Sequence, residues 1–194
     1  CRPDKLSHRH PRLGWGISNE VLCLGNDKAL KFMEDVLDYV CRVFPAPYVH
    51  IGGDECPRTR WKECPKCRKR IADEGLKSAE DLQPWITRHF VKFLEKRGKR
   101  AVGWDEYLNG DVPTSAIGMS WRAGRGGAGH RFLTPRECVE AGHDMVMTPR
   151  TYCYLDYAQG LADDPFQYIG HCLPLEKVYS FDPCADIPAD LRSH

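Results

Sequence analysis

The stretch that decides the fold is Tyr48-Val49-His50-Ile51-Gly52-Gly53-Asp54-Glu55, an apolar run that ends in two glycines and two adjacent acids. Tyr, Val and Ile favour a buried strand, and a Gly-Gly pair lets the backbone leave strand geometry. Acids at the carboxyl end of such a strand lie where α/β barrels carry their chemistry. An exposed acidic turn would give the same dipeptide. The strand histidine and the aromatic residues downstream instead favour a catalytic pair, Asp54 and Glu55.

Strands and helices alternate along the rest of the chain. Apolar runs predict further strands at 101–104, 116–121 and 144–147, and amphipathic patterns predict helices at 27–44, 57–74, 78–97 and 134–142. This alternation is typical of a parallel sheet with crossover helices, which is an α/β fold. Polar or aromatic residues follow each predicted strand, so we expect them to converge on one rim of the sheet.

The predicted helices carry recognisable end signals. Their starts have side chains that favour helix N-termini, namely Asn26 or Asp27, the capping-box sequence Ser78-Ala79-Glu80-Asp81, and Thr134 before Pro135. Gly98 and Gly142 follow the last two helices, at the position where glycine commonly ends a helix. The boundaries therefore agree with the apolar periodicity.

Four motifs together resemble a known family. His50-x-Gly52-Gly53-Asp54-Glu55 is similar to the signature of family-20 glycoside hydrolases, the β-N-acetylhexosaminidases. Three later segments resemble that family's later barrel segments in the same order: Gly103-Trp104-Asp105-Glu106, Met119-Ser120-Trp121 and Tyr152-Cys153-Tyr154-Leu155-Asp156-Tyr157. The resemblance runs from about Leu13 to about Pro183.

The resemblance implies a (β/α)8 TIM barrel, which typically needs about 250 residues. The chain has 194 residues, so we expect a partial barrel of about strands four to seven with their helices, as one catalytic unit over 1–194. Two open sheet edges should favour aggregation or self-association of these residues alone, and the expected partner is the rest of its own catalytic domain. The family's early-strand arginine and last-strand tryptophan and glutamate have no counterpart here. We therefore expect little activity from these residues alone.

The spacing of the two acids bears on mechanism. Glycoside hydrolysis commonly uses two carboxyl groups that flank the scissile bond. Neighbours on a regular strand point to opposite faces, so Asp54 and Glu55 do not suit that arrangement. A substrate-assisted route, in which the sugar's 2-acetamido oxygen is the nucleophile, needs one acid and one group that holds the acetamide. The resemblance assigns Glu55 as general acid/base and Asp54 as the residue that stabilises the oxazolinium intermediate.

Further site residues follow from the resemblance. Tyr154 is expected to align the acetamido oxygen, and Asp156 to accept from sugar hydroxyls. Trp104 and Trp121 are expected to wall the pocket, although core packing would also explain buried aromatic residues. His50 lies on the strand face of Asp54 by alternation and is placed with the substrate-binding residues in a supporting role. Three other tryptophans are expected to be packing or surface residues: Trp15, Trp61 and Trp85.

Asp105 and Glu106 also follow a strand, and the sequence leaves open whether they contact the acid pair or a second sugar. The glycine-rich segment 122–129 lacks the Lys-Ser/Thr ending of a phosphate-binding loop, and its position after a strand favours a rim loop.

Ten cysteines are many for this length, and Cys56, Cys64 and Cys67 lie close together in sequence. A structural zinc site commonly has four ligands in two close pairs. Only one C-x-x-C pair is present, with no histidine at pairing distance after it. We therefore expect a disulfide or free buried thiols, with no metal and no cofactor. The other cysteines are scattered, unlike those of a disulfide-stapled mini-domain.

Charge and hydropathy limit the classes of binding partner that the sequence predicts. A net charge of +1 gives no reason to expect nucleic acid or an anionic membrane, and no apolar run approaches the roughly 20 residues of a membrane span. The resemblance implies glycans that contain N-acetylglucosamine or N-acetylgalactosamine, and a secreted, periplasmic or lysosomal location. Two alternatives remain at this point: a non-catalytic carbohydrate-binding module, and a zinc-stabilised interaction domain built on the cysteine cluster.

Overall fold

The computed structural model describes residues 13–14, 16–122, 132–160 and 171–192. Trp15 and most of the glycine-rich segment 122–129 lie outside the described residues.

The described strands form one parallel sheet in the order of the sequence. They are β1 Tyr48–His50, β2 Arg100–Trp104, β3 Ile117–Ser120 and β4 Met145–Met147. Each strand pairs in parallel with the next, with Val49 opposite Ala101, Gly103 opposite Gly118, and Met119 opposite Val146. The described strands leave this sheet open, as expected for a partial barrel, and the prediction of an α/β fold with parallel strands is confirmed.

Helices connect the strands and pack on the sheet. The α-helices are α1 Asp27–Val43, α2 Thr59–Glu63, α3 Pro65–Asp73, α4 Leu82–Glu95, α5 Pro135–Glu140, α6 Arg150–Cys153 and α7 Leu175–Tyr179, with 3-10 turns at Ala79–Asp81, Asp105–Leu108 and Ala189–Leu191. None of the described helices has both the length and the apolar character that a membrane crossing requires.

The predicted capping signals are confirmed. Asn26 accepts a hydrogen bond from the backbone N–H of Lys28, and Ser78 forms a capping box with Asp81. Thr134 forms a second capping box with Glu137 at the start of α5. Gly98 and Gly142 both have positive φ just past a helix, where a side chain would be strained.

The prediction of one helix over 57–74 is wrong. The chain forms α2 and α3 separately, and Cys64 between them is extended, at φ −73° and ψ 120°. Pro65 explains the break, because the residue before a proline is driven out of helical geometry. Pro65 itself occupies the first turn of α3, where its missing N–H costs nothing.

Two groups of buried side chains hold the fold together. One lies between the sheet and the helices α1 and α4, and includes Val49, Val91, Leu94, Ala101 and Tyr107. The other lies under α2 and α3, and includes Leu24, Trp61, Cys64, Cys67 and Leu82. Trp61 is buried and Trp85 packs against this second group, as predicted for packing residues.

Candidate active site

The acid pair lies on a turn rather than on a regular strand. Strand β1 ends at His50, although pairing with β2 continues through Gly52, whose carbonyl accepts from Trp104 N–H at 2.9 Å. Gly52 and Gly53 then adopt φ values of +72° and +102°, and Glu55 has a φ of +46°. Strand pleating was expected to point Asp54 and Glu55 to opposite faces of the sheet. That expectation is wrong, because the strand ends before both residues.

The backbone of Glu55 is strained. A non-glycine residue at positive φ costs on the order of 1–3 kcal/mol, and such residues concentrate at functional sites. Asp54 and Glu55 are both exposed, and both line a cavity of about 380 Å³. The fold thus holds both acids at the rim of the sheet, with Glu55 in a backbone conformation that is unfavourable without stabilising tertiary contacts.

Tyr107 supplies that support from beneath. It is 1% exposed, and its hydroxyl donates to the Ile117 carbonyl oxygen at 2.6 Å. A Cβ atom on Gly53 would lie 2.7 Å from Tyr107 Cβ, and one on Gly103 would lie 2.7 Å from Tyr107 Cδ2. The ring therefore fills the space under both strand ends and requires glycine at both positions.

His50 and Trp104 contact each other at the ends of β1 and β2. Their ring centroids are 4.9 Å apart at an interplanar angle of 64°. His50 Nδ1 accepts from the Gly52 N–H at 3.1 Å, so this nitrogen carries no proton. Partial burial lowers the pKa of His50, against the opposing charge of Asp54. A neutral His50 thus supports the glycine turn that carries the acids.

Trp121 is held by a carboxylate from the neighbouring strand end. Its indole Nε1–H donates to Glu106 Oε2 at 2.8 Å. Burial raises the pKa of Glu106 to about 7, although the hydrogen bond from Trp121 acts in the opposite direction. Arg122 lies against this carboxylate, with its Nε 3.5 Å from Glu106 Oε1, and Asp105 pairs with the same Nε at 2.9 Å. The two acids that the sequence left unassigned therefore position the pocket wall.

In Trp104-Asp105-Glu106, two acids directly follow a strand, as Asp54 and Glu55 follow β1. This shared pattern is the signal in the sequence that Asp105 and Glu106 belong to the site. Asp105 and Glu106 form part of a 3-10 turn and are buried. Their side chains therefore point into the protein, whereas Asp54 and Glu55 are exposed.

Tyr154 stacks on Trp121. Their ring centroids are 6.3 Å apart with an interplanar angle of 10°, and Tyr157 contacts Tyr154 edge-on at 5.5 Å. Partial burial raises the pKa of Tyr154, and negative charge on Tyr157, Asp156, Asp54 and Glu106 adds to the effect. Asp156 is exposed. The charges of Asp54 and Asp156 therefore both act on the Tyr154 hydroxyl.

A cavity of about 460 Å³ joins the acid turn to this aromatic wall. Glu55, Glu106, Trp121 and Arg122 all line it. A larger cavity of about 710 Å³ lies elsewhere, against β4 and α6, and neither Asp54 nor Glu55 lines it. The chemistry of the side chains, and not the volume, identifies the candidate active site as the region where the cavities of about 380 and 460 Å³ meet at Glu55.

Comparison with known protein families gives one match over nearly the whole chain. The model of the glycosyl hydrolase family 20 catalytic domain matches residues 2–193. A β-hexosaminidase of Porphyromonas gingivalis is 43% identical over 192 residues, which cover 98% of this chain and 23% of that protein. A β-hexosaminidase of Vibrio furnissii is 34% identical over 160 residues, which cover 81% of this chain and 25% of that protein.

Solved structures agree in fold. A family-20 exo-β-N-acetylglucosaminidase from Vibrio harveyi, solved with N-acetylglucosamine, superposes with a TM-score of 0.71 at 32% identity over 88% of this chain and 26% of that chain. A β-N-acetylhexosaminidase from Bacteroides fragilis also gives 0.71 at 32% identity, over 84% of this chain and 32% of that chain.

The chain spans about a quarter of the length of the two curated relatives. The matched region includes the open parallel sheet, the acid turn, Trp104, Trp121 and Tyr154. This chain belongs to glycosyl hydrolase family 20 and forms part of that family's catalytic (β/α)8 barrel.

Proposed function

We propose that this chain carries the catalytic residues of an exo-acting β-N-acetylhexosaminidase, which removes terminal non-reducing N-acetylglucosamine or N-acetylgalactosamine from β-linked glycosides. The proposal rests mainly on one observation. In a family-20 chain, the strained acid turn shares a cavity with Trp121, and Trp121 stacks on Tyr154. The names of the relatives support the same reaction class.

The reaction we propose is a retaining, substrate-assisted hydrolysis. The 2-acetamido oxygen forms a bond to the anomeric carbon while the glycosidic C–O bond breaks, and Glu55 gives its proton to the departing oxygen. A water molecule then attacks the anomeric carbon, Glu55 takes one proton from it, and the oxazolinium ring reopens to the acetamide. Two inversions at the same carbon retain the β configuration. Asp54 and Glu55 share one short turn, which supplies the one acid and the one group for the acetamide that this route needs.

Asp54 and Tyr154 act on the acetamido group in this scheme. Asp54 accepts from the acetamido N–H and stabilises the positive charge that develops on the ring. Tyr154 donates its hydroxyl to the acetamido oxygen, which aligns that oxygen for attack. The raised pKa of Tyr154 keeps the phenol protonated at neutral pH, as a donor must be. The charge of Asp54 contributes to that shift, which supports the two groups acting at one site.

The remaining residues shape the pocket. Trp104 and Trp121 wall the space around the acetamido methyl group, and Glu106 fixes the orientation of Trp121. Asp156, exposed beside Tyr154, accepts from the sugar hydroxyls. His50 contacts Trp104 and holds the Gly52 backbone, so its role is to support the turn and not to transfer protons.

Paired aryl glycosides test the proposal on the full-length protein. An aryl N-acetyl-β-glucosaminide should be hydrolysed with β-N-acetylglucosamine as the first product, seen by proton NMR. The matched β-glucoside, which lacks the acetamido group, should be inert. Binding of N-acetylglucosamine without turnover would overturn the proposal in favour of a carbohydrate-binding module. Comparable turnover of both substrates would contradict the substrate-assisted route.

A further inference from the structure

Three cysteine sulfurs from two segments meet at the junction of α2 and α3, two from the Cys64–Cys67 segment and one from Cys23. The Sγ atoms of Cys23, Cys64 and Cys67 all lie within 4.8 Å of one another. Cys23 Sγ is 3.7 Å from Cys64 Sγ and 3.8 Å from Cys67 Sγ. Cys64 and Cys67 are buried and Cys23 is partly exposed. The sequence suggested Cys56 as the third member of this group, but the fold brings Cys23 there instead.

These separations match the edges of a metal-thiolate tetrahedron. A Zn–S bond of about 2.3 Å gives sulfur–sulfur distances of about 3.8 Å in a regular tetrahedron. Among the described residues, no fourth Cys, His, Asp or Glu places a ligand atom within 4.8 Å of all three sulfurs. This cluster therefore supplies three vertices of such a tetrahedron.

The backbone around the cluster is built for close approach. Cys64 Sγ accepts from the backbone N–H groups of Lys66 and Cys67, and Cys67 Sγ accepts from that of Gly25. A Cβ atom on Gly25 would lie 2.1 Å from the Lys66 carbonyl carbon, so only glycine lets these two segments touch.

We propose that Cys23, Cys64 and Cys67 bind one zinc ion as thiolates. Zinc displaces the thiol protons to solvent, and no electron is transferred. A disulfide is the competing outcome. It would need an oxidant, would join two of the sulfurs at about 2.05 Å, and would leave the third as an unused thiol. A mutual arrangement of three sulfurs favours the metal, and it revises the expectation of no metal drawn from the sequence.

The site would brace the cavity that holds the acids. Cys23 lies 41 and 44 residues from its two partners, so a shared ion would close long loops. Val21, Leu22 and Leu24, next to Cys23, line the same cavity as Asp54 and Glu55. Trp61 connects the same two segments, because its Nε1–H donates to the Leu22 carbonyl oxygen at 2.9 Å. The role is structural, and it does not depend on the proposed glycosidase mechanism.

Metal analysis of the full-length protein tests the site. Protein produced with added zinc and passed through a desalting column should retain about one zinc ion per chain. Cys23→Ser, Cys64→Ser and Cys67→Ser should each lose it. Cys56→Ser is the matched control, because the sequence spacing includes Cys56 and the fold excludes it, and this variant should keep the ion. Retention of zinc by Cys23→Ser with loss in Cys56→Ser would overturn the assignment.

A second measurement uses unmodified protein and so does not depend on whether the variants fold. Mercurial titration of the wild type should release about one zinc ion per chain to a colorimetric indicator. Cobalt(II) in place of zinc should give sulfur-to-metal charge-transfer absorption and the intense visible bands of a tetrahedral site. A metal-free wild type, or an intact mass showing a disulfide between two of the three cysteines, would overturn the proposal.

Discussion

Trp121 Nε1 donates a 2.8 Å hydrogen bond to Oε2 of Glu106, whose side chain is 7% exposed. The two residues follow adjacent parallel strands, β3 and β2, so the strand pairing itself sets their separation. This hydrogen bond therefore fixes the orientation of the Trp121 ring, which stacks on Tyr154. A buried acid thereby sets the orientation of a tryptophan that lines the same cavity as Glu55.

Replacement of Glu106 tests this positioning role. Hydrogen bonds to charged groups contribute about 1.5–3 kcal/mol, so Glu106→Ala should lower kcat/KM for an aryl N-acetyl-β-glucosaminide by roughly tenfold or more. Glu106→Gln keeps an acceptor oxygen and should restore most of the loss. Steady-state kinetics of both variants give the comparison. Equal losses in both would show that the charge, and not the hydrogen bond to Trp121, is what matters.

The same acid predicts a pH dependence of stability. Burial raises the pKa of Glu106 from 4.5 to about 7, so between these values the folded protein holds a proton that the unfolded chain releases. Its contribution to the free energy of unfolding should therefore fall as pH rises through that window and level off above it. Glu106→Gln cannot titrate, and its urea midpoints should fall less over the window than those of the wild type. Parallel curves for the two proteins would contradict the raised pKa.

The glycine turn gives a matched pair of substitutions. Gly53→Ala would place a Cβ atom 2.7 Å from Tyr107 Cβ at a φ of +102°. Overpacking of this kind costs about 1–3 kcal/mol, and an acid displaced by about 1 Å can lose about 10²-fold in rate. Gly75→Ala shares a positive φ, at +62°, but meets nothing within 4 Å, so it should cost only the backbone strain. Thermal melting and activity should both separate the two variants, and similar behaviour would show that Tyr107 does not constrain the turn.

Local signals made the sheet and the helix ends predictable. The apolar runs that predict β2, β3 and β4 and the capping boxes at Ser78 and Thr134 involve neighbours in sequence, and the structure has each of them. The break at Cys64 was also local, since Pro65 excludes helical geometry before it, but the amphipathic pattern of 57–74 outweighed that signal in the prediction.

Long-range contacts were not predictable from spacing. Nothing in the sequence indicates that Cys23, rather than Cys56, lies beside Cys64 and Cys67, because the chain reverses through α1 and β1 between them. Likewise, the sequence placed Asp105 and Glu106 at a strand end but did not show that a 3-10 turn buries both side chains. Tertiary packing decided both cases.

The acetamido group provides a further prediction. Asp54→Asn and Tyr154→Phe should each reduce the rate on N-acetylated substrates, because both residues act on the intramolecular nucleophile. A thiazoline mimic of the cyclised intermediate should inhibit the wild type strongly, since transition-state-like species bind about 10²–10⁸-fold tighter than substrates. Competition assays would measure the inhibition constants. A covalent glycosyl-enzyme trapped on any carboxylate of this chain would instead indicate an enzymic nucleophile.

The most direct test of the account is the leaving-group dependence of Glu55→Gln in the full-length protein. General acid catalysis contributes roughly 10²–10⁴-fold, and an aglycone that leaves readily needs it least. The variant should therefore lose nearly all activity on a natural N-acetylglucosamine disaccharide while it still binds N-acetylglucosamine. On an aryl glycoside with a strongly acidic phenol as leaving group, the variant should keep much more of the wild-type rate of the first bond-breaking step. Near-normal turnover of the disaccharide by Glu55→Gln would contradict the assignment of Glu55 as the acid.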